Sequence, residues 1–217
     1  ATRGGGGIYF GNAEGTASWP VSFTLGDNVQ VVKNSADATD SSGGGGVYFN
    51  GSHPSDNFTL AGSAVIADNT TAKNGGGIYF NARLGGGNVR LAGGTLSGNN
   101  ATENGGGLFF RQLVDSAYVG AVSLSGTSVL SNGAASGGGL YLHLGKDFAN
   151  AGAVFSMSGG ALSGNKAANG AALYTYGKYT VTLRTAIAAN TATGNGGGVY
   201  MSESGTLVMQ SGSSLQG

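Results

Sequence analysis

The chain has 217 residues, of which 45 are glycine, two proline and none cysteine, with ten basic and ten acidic side chains. Zero net charge excludes the clustered-cation footprint of nucleic-acid binding. The lack of cysteine excludes disulfides and thiolate metal sites, and no apolar run nears the roughly 18 residues of a membrane-spanning helix.

In chain order, the first element is the apolar triplet Ile8–Phe10 directly after Gly4–Gly7. The same pairing recurs along the chain, aligned on Ile8, Val47, Ile78, Leu108, Leu140, Leu173 and Val199, at intervals of 39, 31, 30, 32, 33 and 26 residues. Six of the seven copies carry a full GGG and the copy at Gly170 reads GAA. The second element is an apolar–polar–apolar triplet, beginning at Phe23, Phe58, Val89, Val122, Phe155, Val181 and Leu207. The third is an aliphatic residue three before an asparagine: Val31–Asn34, Ile66–Asn69, Leu96–Asn99, Val129–Asn132, Leu162–Asn165 and Ile187–Asn190. A small residue follows two positions later, Ala in five units and Thr71 in the other.

Glycine this abundant signals disorder unless it recurs with a period, and here it does. A repeat of 20 to 50 residues marks solenoids, propellers or arrays. Helical repeats are excluded because each interior glycine costs a helix about 1 kcal/mol, and propeller blades need about 40 residues. The pattern predicts an all-β parallel β-helix (β-solenoid) of about seven coils of three strands, forming one domain over residues 1–217. Strands stacked about 4.8 Å apart make it roughly 30 Å long.

Strand alternation assigns the faces. Ile8 with Phe10, Val47 with Phe49, Ile78 with Phe80 and Leu108 with Phe110 fill the lumen. The residue between them points out, predicting an outward aromatic ladder of Tyr9, Tyr48, Tyr79, Phe109, Tyr141, Tyr174 and Tyr200. Seven exposed rings would make an apolar interaction stripe. Asn34, Asn69, Asn99, Asn132, Asn165 and Asn190 are expected to stack as an amide ladder at a turn.

The motif SGNxAxxNGGG followed by an aliphatic and an aromatic residue, best matched at Ser97–Phe109 and Ser163–Tyr174, resembles the repeats of parallel β-helix proteins on bacterial surfaces. These include autotransporter passengers, polymorphic outer-membrane proteins and related pectin-lyase-like solenoids. The resemblance implies a right-handed coil and a structural or adhesive role at the cell surface.

No catalytic, metal or cofactor site is assigned. The carboxylates are scattered, and the two histidines, His53 and His143, fall in different repeats. The GxG spacings lack the Lys and Ser or Thr of a phosphate loop. Variable insertions between the first and second elements carry Trp19, His53, Tyr118, His143 and Phe148. In a solenoid such insertions emerge along one edge, often the binding side, so these five form a candidate recognition rim.

The last unit ends at Gly217, where the alignment is about to reach a ladder asparagine, and Ala1 aligns two residues after one. SLQG followed by ATRGGGGIYF thus reproduces a repeat with about two residues missing. This predicts ends that continue one another head to tail, in a fibre whose partners are copies of the chain; the resemblance implies that such a fibre is extracellular. The alternative is a segment of a longer adhesin that binds glycans or another surface protein; a polysaccharide-degrading enzyme is the remote reading.

Overall fold

The structure is a computed structural model that describes residues 4–11, 20–37, 43–51, 53, 55–82, 88–112, 121–144 and 153–216. It is an all-β parallel solenoid, with no helix among the described residues. The first sheet stacks seven strands in chain order: Ile8–Gly11, Val47–Gly51, Ile78–Ala82, Leu108–Gln112, Leu140–Leu144, Leu173–Tyr176 and Val199–Met201. Each defines a rung. Ile8, Val47, Ile78, Leu108, Leu140, Leu173 and Val199 pair in unbroken register.

The second sheet carries both remaining elements of the repeat. In four rungs they run as one long strand, Asn57–Ala67, Asn88–Ser97, Ala153–Ser163 and Tyr179–Ala188. Register shifts between Gly62 and Val65, and between Ser158 and Ala161, mark irregularities in this pairing. The third face is built from two-residue strands just after the ladder asparagine, Ser35–Ala36, Thr70–Thr71, Asn100–Ala101, Lys166–Ala167 and Thr191–Ala192. Gly133 bridges Asn100 and Lys166, joining the two parts. The repeat pattern alone predicts a turn there, since two residues are too few to show a strand's alternation.

The lumen is filled as the alternation requires. Val47, Phe49, Phe58, Leu60, Ile66, Ile78, Phe80, Leu91, Leu108 and Phe110 are fully buried in one continuous cluster. Phe10, Phe49, Phe80 and Phe110 stack with ring centroids 5.4, 4.8 and 5.4 Å apart. Each such side chain stabilises the fold by about 1.5–3 kcal/mol through removal from water.

The glycine triplet has a steric cause, seen at the fourth rung. Gly105 has a φ of 66°, a left-handed conformation that other residues adopt at a cost. A Cβ on Gly106 would lie 2.4 Å from the carbonyl oxygens of Gly133 and Gly138. One on Gly107 would lie 2.6 Å from the Gly139 carbonyl oxygen. Adjacent rungs touch backbone to backbone here, which leaves no room for a side chain.

The asparagine corner links the first six rungs by the same hydrogen bonds. The side-chain Nδ2 groups of Asn34, Asn69, Asn99, Asn132 and Asn165 each donate to the Oδ1 of the asparagine one rung on, at 3.0, 2.9, 3.0, 3.1 and 2.9 Å. The backbone N–H of each donor residue reaches the same oxygen. The second Nδ2 proton goes the other way: Asn99 donates to the Ile66 carbonyl at 2.9 Å and Asn132 to the Leu96 carbonyl at 3.0 Å. An interior amide thus uses both donors and both acceptor sites. Asn69, Asn99, Asn132 and Asn165 are buried.

The residue before each asparagine is left-handed in every rung that has one. The φ values are 57° at Lys33, 54° at Asp68, 62° at Gly98, 55° at Ser131, 66° at Gly164 and 54° at Ala189. This turn aims the amide inward.

Two measurements follow from this corner. Asn99→Ala and Asn132→Ala should each destabilise by about 1–3 kcal/mol in chemical denaturation, since neighbouring buried groups lose partners on both sides; near-zero changes would show a turn former only. Ala189→Gly should stabilise by about 0.5 kcal/mol, the relief of left-handed strain less the entropy of glycine. Gly98→Ala should instead destabilise by about 0.5 kcal/mol, since alanine at that left-handed φ of 62° carries the same strain less the same entropy, while the Asp68 carboxylate end beside the added Cβ can swing aside.

Candidate functional site

The outer face of the first sheet holds the densest set of side chains outside the lumen. Tyr9, Tyr48, Tyr79, Phe109, Tyr141, Tyr174 and Tyr200 stack there in chain order, with centroids 5.0, 5.0, 5.0, 5.2, 4.6 and 5.0 Å apart. Register pairing at strand spacing makes this column unavoidable once each rung has an aromatic residue at that position.

The column is not an exposed stripe, which corrects the sequence reading. Tyr9 at the first rung is 59% exposed, but Tyr48, Tyr79, Phe109 and Tyr141 are buried in a second apolar cluster, with Tyr174 and Tyr176 packed against it. Stacking covers the ring faces, and two flanking rows of side chains cover the edges.

One flanking row lies two residues further along each strand: Asn50, Asn81, Arg111, His143 and Tyr176, paired in register. Asn81 Nδ2 donates to Asn50 Oδ1 at 2.9 Å. Arg111 Nη1 donates to Tyr79 Oη at 3.2 Å. His143 sits edge-on to Phe109, Tyr141 and Tyr176, with centroids 6.4, 6.2 and 4.8 Å away.

The other row is a second asparagine column just before the glycines. Asn104 Nδ2 donates to Asn74 Oδ1 at 2.8 Å and Asn195 Nδ2 to Asn169 Oδ1 at 3.2 Å. Ser136 stands in this column at the intermediate rung, bridged to Asn104 and Asn169. Asn74 Nδ2 reaches Glu103 Oε2 at 3.2 Å, and Lys73 pairs with Glu103 Oε1 at 2.9 Å. In the sequence the signal for this column is an asparagine directly before the glycine position in four units, Asn74, Asn104, Asn169 and Asn195.

Between the two rows Asn74, Asn104, Tyr79, Phe109, Arg111 and His143 line a groove of about 190 Å³. Its floor is the edges of two aromatic rings, one wall is amide, and the other carries a guanidinium and an imidazole. Burial, reinforced by the Arg111 charge, lowers the His143 pKa to about 4, so the ring is neutral near pH 7. Burial, with Tyr174 and Tyr176 beside it, pushes the Tyr141 hydroxyl well above the usual tyrosine range.

Of the five rim residues, His53 and His143 lie among the described residues, and they stand apart. His143 lies within the strand Leu140–Leu144 rather than in an insertion, because the strand runs two residues past the apolar triplet. His53 belongs to a turn three rungs away: its Nδ1 accepts the Ser55 N–H at 3.0 Å, and its own backbone N–H donates to Asp56 Oδ2 at 2.8 Å. Asp56, fully buried, also accepts the Val21 N–H at 2.7 Å, so these groups tie one loop to the rung below. Trp19, Tyr118 and Phe148 lie outside the described residues. Among the described residues no three His, Asp or Glu side chains come together as a metal site.

Comparison of the chain with protein-family models, with curated proteins and with solved structures finds no match. The functional reading therefore rests on the geometry above.

The buried imidazole makes stability pH-dependent. Its folded pKa lies below its unfolded value, so the unfolded chain takes up a proton first, and stability falls as pH drops from about 6.5 towards about 4. Between pH 7 and pH 5 the His143 contribution should weaken by about 2 kcal/mol. Denaturation midpoints of the native chain and His143→Gln at both pH values check this; equal acid sensitivity would remove His143 as the cause.

Proposed function

We propose that the chain is an extracellular structural solenoid that stacks head to tail into a filament. The observation that carries this reading is the state of the end rungs. On the seventh rung Leu207, Met209 and Leu215 are 42%, 41% and 60% exposed. Their partners one rung below, Leu183 and Ile187 among them, are fully buried in the lumen. On the first rung Ile8, Phe10, Val21 and Phe23 are only partly buried.

The two ends are chemically alike in register. Continuing the ladders sets Val199 on Ile8, Tyr200 on Tyr9, Met201 on Phe10, Leu207 on Phe23, Met209 on Leu25 and Leu215 on Val31 of a second copy. Each is a pairing type that the interior rungs already use. An open strand edge templates another strand, and a head-to-tail contact that does not close propagates as an open filament. The zero net charge leaves no overall repulsion between copies. The extracellular setting draws on the resemblance of the repeat motif to bacterial surface β-helix repeats. In the adhesin reading, flanking coils of a longer chain cover the same edges.

Sedimentation velocity and negative-stain electron microscopy of the chain separate these. Stacking predicts unbranched fibres with an axial repeat of about 34 Å, seven strand spacings, abolished in Met209→Asp/Leu215→Asp. A chain that stays monomeric at about millimolar concentration, far above the Kd typical of specific contacts, overturns the filament and leaves the adhesin segment.

A further inference from the structure

Every rung of a solenoid resembles its neighbours, so a distinct site arises only where a ladder changes chemistry. The row flanking the aromatic column does this in its middle, running Asn50, Asn81, Arg111, His143, Tyr176. Arg111 there is half-buried. A guanidinium has five N–H donors, and among the described residues Arg111 makes one hydrogen bond, to the phenol oxygen of Tyr79. Glu103, next to Asn104 of the opposite wall, is engaged: it gives one oxygen to Lys73 and the other to Asn74. The imidazole beside Arg111 adds no charge near pH 7. The groove between these walls therefore holds one cation without a described counter-ion.

We propose that this groove binds a small organic carboxylate, its two oxygens taken by the free edge of the Arg111 guanidinium. A single cation matches a monoanion, and the planar fork matches the two oxygens of a carboxylate. A phosphate dianion would call for a second cation, and the nearby Lys73 is held by Glu103. The Tyr79 and Phe109 edges form an apolar floor for the body of the ligand. Its length is limited by a volume of about 190 Å³, about six water volumes. The Asn104 amide, which lines the groove and spends one Nδ2 proton on Asn74, meets any polar group on the far side. This site is independent of the end-to-end contact, since the groove opens sideways on the middle rungs.

The test is calorimetric titration with benzoate in low-salt, phosphate-free buffer, below any concentration at which the chain assembles. Benzamide serves as the neutral shape control, and inorganic phosphate and sulfate as tetrahedral anions. Saturable benzoate binding is expected, about tenfold or more tighter than benzamide and than either inorganic anion. Arg111→Gln should weaken it about tenfold or more, and Arg111→Lys, which keeps the charge without the fork, should weaken it several-fold. Thermal melting reports whether each variant folds; if Arg111→Gln does not, Arg111→Lys carries the comparison. No saturable binding of benzoate, equal binding of benzamide, tighter binding of phosphate or sulfate, or unchanged affinity in a folded Arg111 variant each overturns the proposal.

Discussion

Everything in this molecule depends on bringing successive backbones to within strand spacing at one corner. The asparagine chain enforces it. Each interior amide is bonded to the rung on either side and has no capacity left over, so a rung of different height or register would strand buried donors and acceptors on both neighbours. The penalty of an unmade buried bond, about 1–3 kcal/mol, is incurred twice per displaced rung. That explains why the aliphatic-to-asparagine spacing is the same in all six units while the whole interval ranges from 26 to 39 residues. Length varies where a loop leaves the stack, away from the amides.

The glycines are the steric half of the same constraint. Where Gly106 faces the carbonyls of Gly133 and Gly138, one methyl group would force the rungs apart and pull the Asn99–Asn132 bond with them. The sixth rung, with Ala171 and Ala172 fully buried in place of two glycines, keeps Gly170 at the left-handed position. The conformational requirement is thus kept even where the packing is met differently.

Periodicity made the stack readable before any coordinates. Register, lumen and corner follow from residues that recur at fixed offsets, since each rung repeats the same local problem. What stayed hidden depends on neighbours from other rungs. Alternation correctly turned Tyr79 and Phe109 away from the lumen, but their burial comes from Tyr48 and Tyr141 above and below and from the flanking rows. His143 read as a loop residue because one strand runs two residues beyond its apolar triplet. The bend between the second and third elements is marked by a glycine in six of the seven units, Gly26, Gly62, Gly93, Gly126, Gly159 and Gly212, but a glycine there reads as a break, not as a strand running on through the bend.

In the proposed reading, the same periodicity separates the columns that would carry stacking from the one place that would carry a ligand. Columns that keep one chemistry from rung to rung, the lumen and the amide corner, offer any further rung the same contacts, which is the physical basis of the proposed stacking. A ligand needs the opposite: a place where the column is broken and the groups do not satisfy one another. Arg111 is such a break, set between the amide of Asn81 and the imidazole of His143, with Ser136 interrupting the opposite asparagine column one rung along. A filament built from this chain would carry that break once per subunit, at regular spacing along one side. Its binding sites would then be ordered by the fold that makes the fibre.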